Sequence, residues 1–200
     1  MGIWVEKIYG FLCVMIPCLI YQGWLVKKSG RRSSLFYHLI WVNLLILYLY
    51  LAIDVAGIGS IWDIGSFKTL IRGDEIHFIP FSAGIGVTTF LNVIMFMPLG
   101  FLLPLIWSSY RNVIRVVVTG LLFSLSIEFF QLFNYRTTDI DDLLMNTLGA
   151  FFGYLIFLGL KRVFPQVAKN SVSLAKYEPV MYLGLSILGT FLLFNWRLIA

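Results

Sequence analysis

Charge is scarce in this chain. Asp, Glu, Lys and Arg make up 12% of its 200 residues against 60% hydrophobic, and the mean hydropathy is +0.88. Soluble domains carry about a quarter charged residues, so a water-soluble globular fold is excluded. Histidine is limited to His38 and His77, and cysteine to Cys13 and Cys18. Both cysteines fall in one apolar run with neither zinc-ligand spacing nor a disulfide framework, which leaves them as small buried hydrophobes. A Ser-His-Asp triad is disfavoured as well. Ser124 and Ser126 share a segment with Glu128, but His38 is assigned to the opposite side of the membrane. Internal repeats and low-complexity tracts are missing. The opening MGIWVEK lacks a basic leader and has Glu6 where a myristoylation pattern needs Ser or Thr, so the first apolar run is expected to persist as an uncleaved span.

What the chain does have is long apolar runs, and crossing a bilayer takes about 20 such residues. Spans are expected at 8–26, 35–53, 88–107, 113–133, 143–161 and 180–196. The expected fold is all-α: one membrane domain over residues 1–200, a polytopic bundle of about six transmembrane helices. Basic residues cluster between runs: Lys27, Lys28, Arg31 and Arg32, then Arg111 and Arg115, then Lys161, Arg162, Lys169 and Lys176. These three loops hold ten of the fifteen Lys and Arg. The positive-inside rule places them in the cytoplasm. Both termini are then outside, with Asp54, Asp63, Asp74, Glu75, Asp139, Asp141 and Asp142. The net charge of +5 and pI near 9.3 thus report topology rather than a phosphate-binding face. No nucleic-acid partner is expected, and membrane lipids are. Trp4, Trp24, Trp107 and Trp196 fall near span ends, where indoles sit at headgroup level. Trp41 lies deeper and reads as a packing residue.

Three other stretches carry expectations. Between spans two and three, Phe67, Leu70 and Ile71 share a helical face beside Lys68 and Arg72, which fits either a short interfacial helix or an irregular loop. The FIPFSAG run from Phe78 to Gly84 is apolar but broken by Pro80, and it could dip to membrane depth under protein cover. In NVIMFMPLGFLLP, Pro98 and Gly100 predict a kink or a tight crossing, and Gly149 with Gly153 forms a weak small-xxx-small pair.

The polar residues concentrate between Ser124 and Gly153. Glu128 interrupts an apolar run, and an ionisable group in a membrane segment is a functional-site hypothesis by default. Gln131 follows three residues on, along the same helix face. A short loop makes spans four and five antiparallel neighbours. Glu128, Gln131, Asn146 and Asn92 then gather in one pocket open to the outside, with Arg136 and the aspartates at its rim. Asp139, Asp141 and Asp142 also suit the positive end of span five, and one of them can cap it. The competing reading is a self-satisfied polar knot that fixes helix register, with Glu128 paired to Arg136 or accepting from Asn146. Glu128, Asp139 and Asp142 offer oxygen ligands of the kind Mg²⁺ or Ca²⁺ takes, in no specific arrangement. His77 beside Asp74 and Glu75 reads as a solvated loop residue. No metal is assigned, and the cofactor question stays open.

The ordered set NVIMFMPLGFLLP, SIEFFQ and Arg136, Asp139, Asp142, Asn146, Gly149, Gly153, preceded by Phe78-Ile79-Pro80-Phe81, resembles the VanZ-like family over residues 76–160. It maps Asn92, Pro98, Gly100, Glu128, Gln131, Arg136, Asp139, Asp142, Asn146 and Gly149 onto the family's pattern. The resemblance implies a multi-pass protein of a bacterial plasma membrane that lowers susceptibility to teicoplanin-type lipoglycopeptides in Gram-positive cells. Two functional classes stay open. In one, the pocket binds an amphiphile, such as an acyl-bearing glycopeptide or a lipid-linked wall precursor. Arg136 would then grip an anionic group while Gln131, Asn146 and Asn92 donate hydrogen bonds. In the other, the protein is an enzyme on an outer-leaflet lipid or wall component, with Glu128 as general acid or base and the aspartates orienting it or holding a metal.

Overall fold

Hydrocarbon offers backbone amides no partner, so long apolar runs close their hydrogen bonds internally as helices. The computed structural model describes residues 2–29, 35–64, 76–77, 80, 86–134, 138–168 and 173–198. Its six α-helices are α1 Ile3–Ser29, α2 Leu35–Ala56, α3 Val87–Ile106, α4 Val113–Gln131, α5 Ile140–Val163 and α6 Glu178–Leu193. Helices α1 to α5 are long and apolar enough to cross a membrane. With 16 residues, α6 spans only about 24 Å at 1.5 Å per residue. A further 3₁₀ turn follows at Trp196–Leu198. Two two-residue strands, β1 Ile76–His77 and β2 Thr138–Asp139, pair in parallel, with Ile76 opposite Thr138 and His77 opposite Asp139. The stretch holding Phe67, Lys68, Leu70, Ile71 and Arg72 lies outside the described residues, as do Asp74, Glu75, Arg136 and all of FIPFSAG except Pro80.

The helices alternate in direction. Lys7 meets Asp54 across α1 and α2, and Tyr48 of α2 donates to Met95 O of α3 at 2.9 Å. On the remaining side, Tyr9 donates to Leu193 O while Tyr21, further along α1, packs edge-on against Tyr182. Helices α3 and α5 run parallel and touch backbone to backbone. A Cβ on Gly149 would strike Val93 O, one on Gly153 would strike Met97 O, and one on Gly100 would strike the Ala150 backbone. The expected tight crossing is therefore present, and Gly149 and Gly153 are its floor. In a bilayer such small-residue seams replace hydrophobic driving force with close van der Waals contact. Helix α4 lies antiparallel beside α5: Gly120 faces Ala150, with a built Cβ 2.6 Å from its methyl, and Ser124 faces Asn146.

Between these helices sits a core that includes Val42, Leu45, Leu49, Phe96, Leu99, Leu103, Phe123, Ile127 and Phe157. The outward faces carry Leu19, Ile20, Ile94, Leu122, Leu125, Leu155 and Ile156, an apolar coat that suits lipid. Cys13 and Cys18 are free and buried. The tryptophans depart from expectation in two places. Trp107 is fully buried rather than at an interface, and Trp41 lies exposed on the outer surface rather than in the packing.

Alternation brings the starts of α1, α3 and α5 to one end of the bundle with the finishes of α2, α4 and α6. Short contacts knit this end. Gly59 N donates to Phe130 O at 3.0 Å, Trp196 Nε1 to Asp63 Oδ1 at 2.8 Å, and Arg197 Nη2 to Trp62 O at 2.8 Å. Gly57 leaves α2 with φ of 67°, the left-handed turn that glycine adopts without a side-chain clash. The clustered basic residues Lys27, Lys28, Arg111, Arg115, Lys161, Arg162 and Lys176 belong to the other end of the bundle.

Candidate functional site

On α4, Ser124, Glu128 and Gln131 recur at i, i+4 and i+7 and so form one stripe. All three are buried, at 0%, 5% and 4% exposure. The stripe points at the start of α5. There Asp139 caps the helix, its Oδ1 accepting from Asp141 N at 3.0 Å, and Asp141 and Asp142 occupy the first turn. Acidic residues are favoured at this positive end of the helix dipole. The chain entering the cap directs Asp139 N to Glu128 Oε2 at 3.1 Å. A hydrogen bond from a backbone amide thus ties the buried carboxyl group of α4 to the head of α5.

The third wall is α3. Asn92 donates through Nδ2 to Asp142 Oδ1. One turn below Glu128, Asn146 Nδ2 donates to Ser124 Oγ at 2.9 Å. At the upper edge, Gln131 Nε2 donates to Ala56 O at 2.8 Å and Asn134 Nδ2 to Gly57 O at 2.6 Å, so the finish of α2 is stapled to that of α4. Asn92 is therefore in contact with Asp142 and Asp139 with Glu128, while Gln131 and Asn146 extend the same buried polar stripe above and below Glu128. Ser124 joins them, a residue the sequence reading considered only as a nucleophile.

Asn92, Gln131 and Asn146, which the sequence offers as donors to a ligand, each donate one N–H to the protein. Their Nδ2 and Nε2 groups complete contacts among α2, α3, α4 and α5. Gln131 Oε1 and Asn146 Oδ1 are buried with no hydrogen-bond partner among the described residues, and each amide nitrogen keeps a second N–H. Reversing the Gln131 amide would set its oxygen against Ala56 O, so that orientation is fixed. A buried acceptor without a donor costs roughly 1–3 kcal/mol.

This chemistry is acidic, with three side-chain amides around one buried carboxyl group. Ser124 Oγ meets an amide rather than a base, so no activated nucleophile is assembled at it. Among the described residues no three His, Cys, Asp or Glu side chains are arranged to hold a metal ion.

A second polar cluster went unseen in the sequence. At the opposite end of the bundle, Glu178 is fully buried at the start of α6. It accepts from His38 Nε2 at 2.7 Å, Trp107 Nε1 at 3.1 Å and Leu174 N at 2.9 Å. The available signal was Glu178 followed by Pro179, a helix-start pattern. Starting span six at residue 180 hid it.

A family model described as VanZ/LLP1 matches residues 11–162. No curated protein matches the chain, and no solved structure does. The matched region extends well before the motif-bearing stretch from residue 76, takes in most of α1 and nearly all of α2 to α5, and contains every residue of the Glu128 cluster. Five membrane-length helices and a match over most of the sequence lead to one assignment: the chain belongs to the VanZ/LLP1 family, as a multi-spanning helical membrane protein.

Proposed function

We propose that the chain lowers susceptibility to teicoplanin-type lipoglycopeptides in the plasma membrane of a bacterium, and that it does so by binding an amphiphile at the Glu128 cluster. The ligand is the antibiotic itself or a lipid-linked wall precursor. The observation that carries this reading is the meeting of Asn92, Ser124, Glu128, Gln131, Asp142 and Asn146, from three membrane helices, at one end of the bundle. Polar groups are costly at that depth, and such clusters mark ligand or ion sites. The end in question lies away from the basic clusters, so the charge rule turns it toward the cell exterior. Lipoglycopeptides and wall precursors are encountered on that side. Binding is preferred to catalysis because the described residues include a carboxylate but no activated nucleophile beside it.

Glu128→Gln tests this. The substitution retains an oxygen for Asp139 N while removing the charge and the general base. Teicoplanin susceptibility of cells carrying equal membrane levels of each form is measured beside binding of labelled teicoplanin and of a labelled wall precursor to protein in nanodiscs. Parallel loss of protection and of binding is expected. Binding retained with protection lost moves the assignment to catalysis by Glu128. Unchanged protection overturns the reading.

A further inference from the structure

We propose that the chain carries a second binding site, between α1, α2 and the finish of α6, for a zwitterionic head group that joins an anionic phosphate to a primary ammonium. A partly open cavity of about 170 Å³ lies there. That is many times the volume one water needs and enough for a group the size of phosphoethanolamine. Its polar wall is the ion pair of Lys7 Nζ with both Asp54 oxygens, at 2.7 and 2.8 Å, with Glu6 beside it on α1. Thr190 of α6 also borders the cavity; its hydroxyl gives its proton to Ser186 O, so Oγ1 retains lone pairs to accept. The other wall is apolar, made by Tyr50, Ile53, Ile58 and Phe194. Contacts to other parts of the fold hold the frame: Tyr50 donates to Lys7 O at 2.9 Å, and Asn134 donates to O of the lining Gly57 at 2.6 Å.

Charge selects the occupant. The cavity is lined by two carboxylates, Glu6 and Asp54, and one ammonium, Lys7. A simple anion would compete with Asp54 for Lys7 beside two like charges, and a simple cation would meet Lys7 itself; such mismatches are how sites reject wrong ligands. A zwitterion answers both signs. Its phosphate takes Lys7, and its ammonium takes Asp54, Glu6 and the Thr190 hydroxyl, beside the Tyr50 and Phe194 rings. The exchange is cheap. The Lys7 and Asp54 side chains are 46% and 30% exposed, and an ion pair so open to water contributes little, so one weak pair gives way to two. Depth agrees with this chemistry. Trp4, one turn before Lys7, and Trp62, shortly beyond α2, are both exposed, and exposed indoles sit at the head-group level of a bilayer. Lipid phosphates and ammonium groups lie at that level. The site shares no residue with the Glu128 cluster, so the two readings stand or fall separately.

The test uses the full chain in nanodiscs holding equal amounts of tail-matched phosphatidylethanolamine, phosphatidylcholine and phosphatidylglycerol. Lipids that stay bound on release from the disc are counted by native mass spectrometry. Phosphatidylcholine lacks ammonium N–H groups and phosphatidylglycerol lacks the cation, so each omits part of the recognition. Phosphatidylethanolamine should be retained about tenfold better than either, the worth of one charge-assisted hydrogen bond. Lys7→Met and Asp54→Asn should each bring that ratio close to one. Gly10→Leu keeps the ion pair and fills the cavity; a Cβ there lies 3.6 Å from the Tyr50 and Phe194 rings, an ordinary contact. It should abolish the preference without moving the unfolding midpoint, and it decides the matter if the charge variants do not fold. Lys161→Met, at the other end of the bundle, should change nothing. Soluble phosphoethanolamine tells the two sources apart. If it binds in discs that show no lipid preference, the site takes the free compound; if only the lipid is held, the site serves the bilayer. A preference for phosphatidylglycerol, or equal retention of all three lipids with no binding of phosphoethanolamine, overturns the proposal. An ethanolamine preference that survives both Lys7→Met and Gly10→Leu is adsorption elsewhere and overturns it as well.

Discussion

Removing the carboxylate of Glu178 tests how the end of the bundle opposite Glu128 is held. His38 Nε2 stands 2.7 Å from Oε1, and Trp107 Nε1 and Leu174 N stand 3.1 and 2.9 Å from Oε2. These donors come from α2, the finish of α3 and the loop before α6, so one side chain joins three parts of the fold. Glu178→Ala strands all of them in a place closed to water. Each stranded donor costs roughly 1–3 kcal/mol; with three of them and allowing for local relaxation, about 4 kcal/mol is expected. Glu178→Gln should cost far less, about 1–2 kcal/mol. One oxygen remains for Trp107 and Leu174, and the new amide can donate to His38 once the ring carries its proton on Nδ1. That nitrogen is buried with no hydrogen-bond partner, so the tautomer change breaks no bond there. Reversible unfolding by dodecyl sulfate in mixed micelles, followed by tryptophan emission, measures both. An alanine variant within 1 kcal/mol of the parent, or a glutamine variant worse than alanine, would refute the reasoning.

Three further outcomes follow from the same structure. Gly153→Leu should destabilise the bundle by 2 kcal/mol or more, as overpacking against a backbone does; Gly159→Leu, where nothing lies within 4 Å of a built Cβ, should be close to neutral in the same titration. Asn92→Asp should set a second carboxylate against Asp142, cost about 2–3 kcal/mol as a broken charge-assisted bond does, and be partly rescued by adding Asp142→Asn; a double-mutant cycle reads the coupling. Ile61→Cys should react with an impermeant maleimide on intact cells, whereas Lys176→Cys should react only after permeabilisation. Both native cysteines are buried, so the background is low, and the reverse pattern would invert the orientation on which the functional reading depends.

Much of the Glu128 cluster was legible in the sequence because its logic is local. Glu128 and Gln131 share a face by helical repeat, a short loop forces α5 back along α4, and Asn92 begins a span whose direction the basic loops set. Gly149 and Gly153 looked ordinary for the opposite reason. A small-xxx-small pair gains meaning only from the helix laid on it, and the partner carbonyls of Val93 and Met97 come from another segment. Amide direction was equally hidden. Gln131 donates inward because Ala56 O happens to end α2 beside it, a contact across 75 residues. Glu178 is not legible because its partners lie 140 and 71 residues earlier, and Trp107 reads as an interface anchor although its indole N–H serves that carboxylate. Composition identifies a lipid-facing residue well and a buried polar partner poorly, because only packing brings such partners together.

The glycine seam between α3 and α5 has a consequence for transport. Where two helices meet main chain to main chain, no lumen fits between them, and neither water nor a solute can thread that contact. A path across the membrane would have to run between other helices than these two.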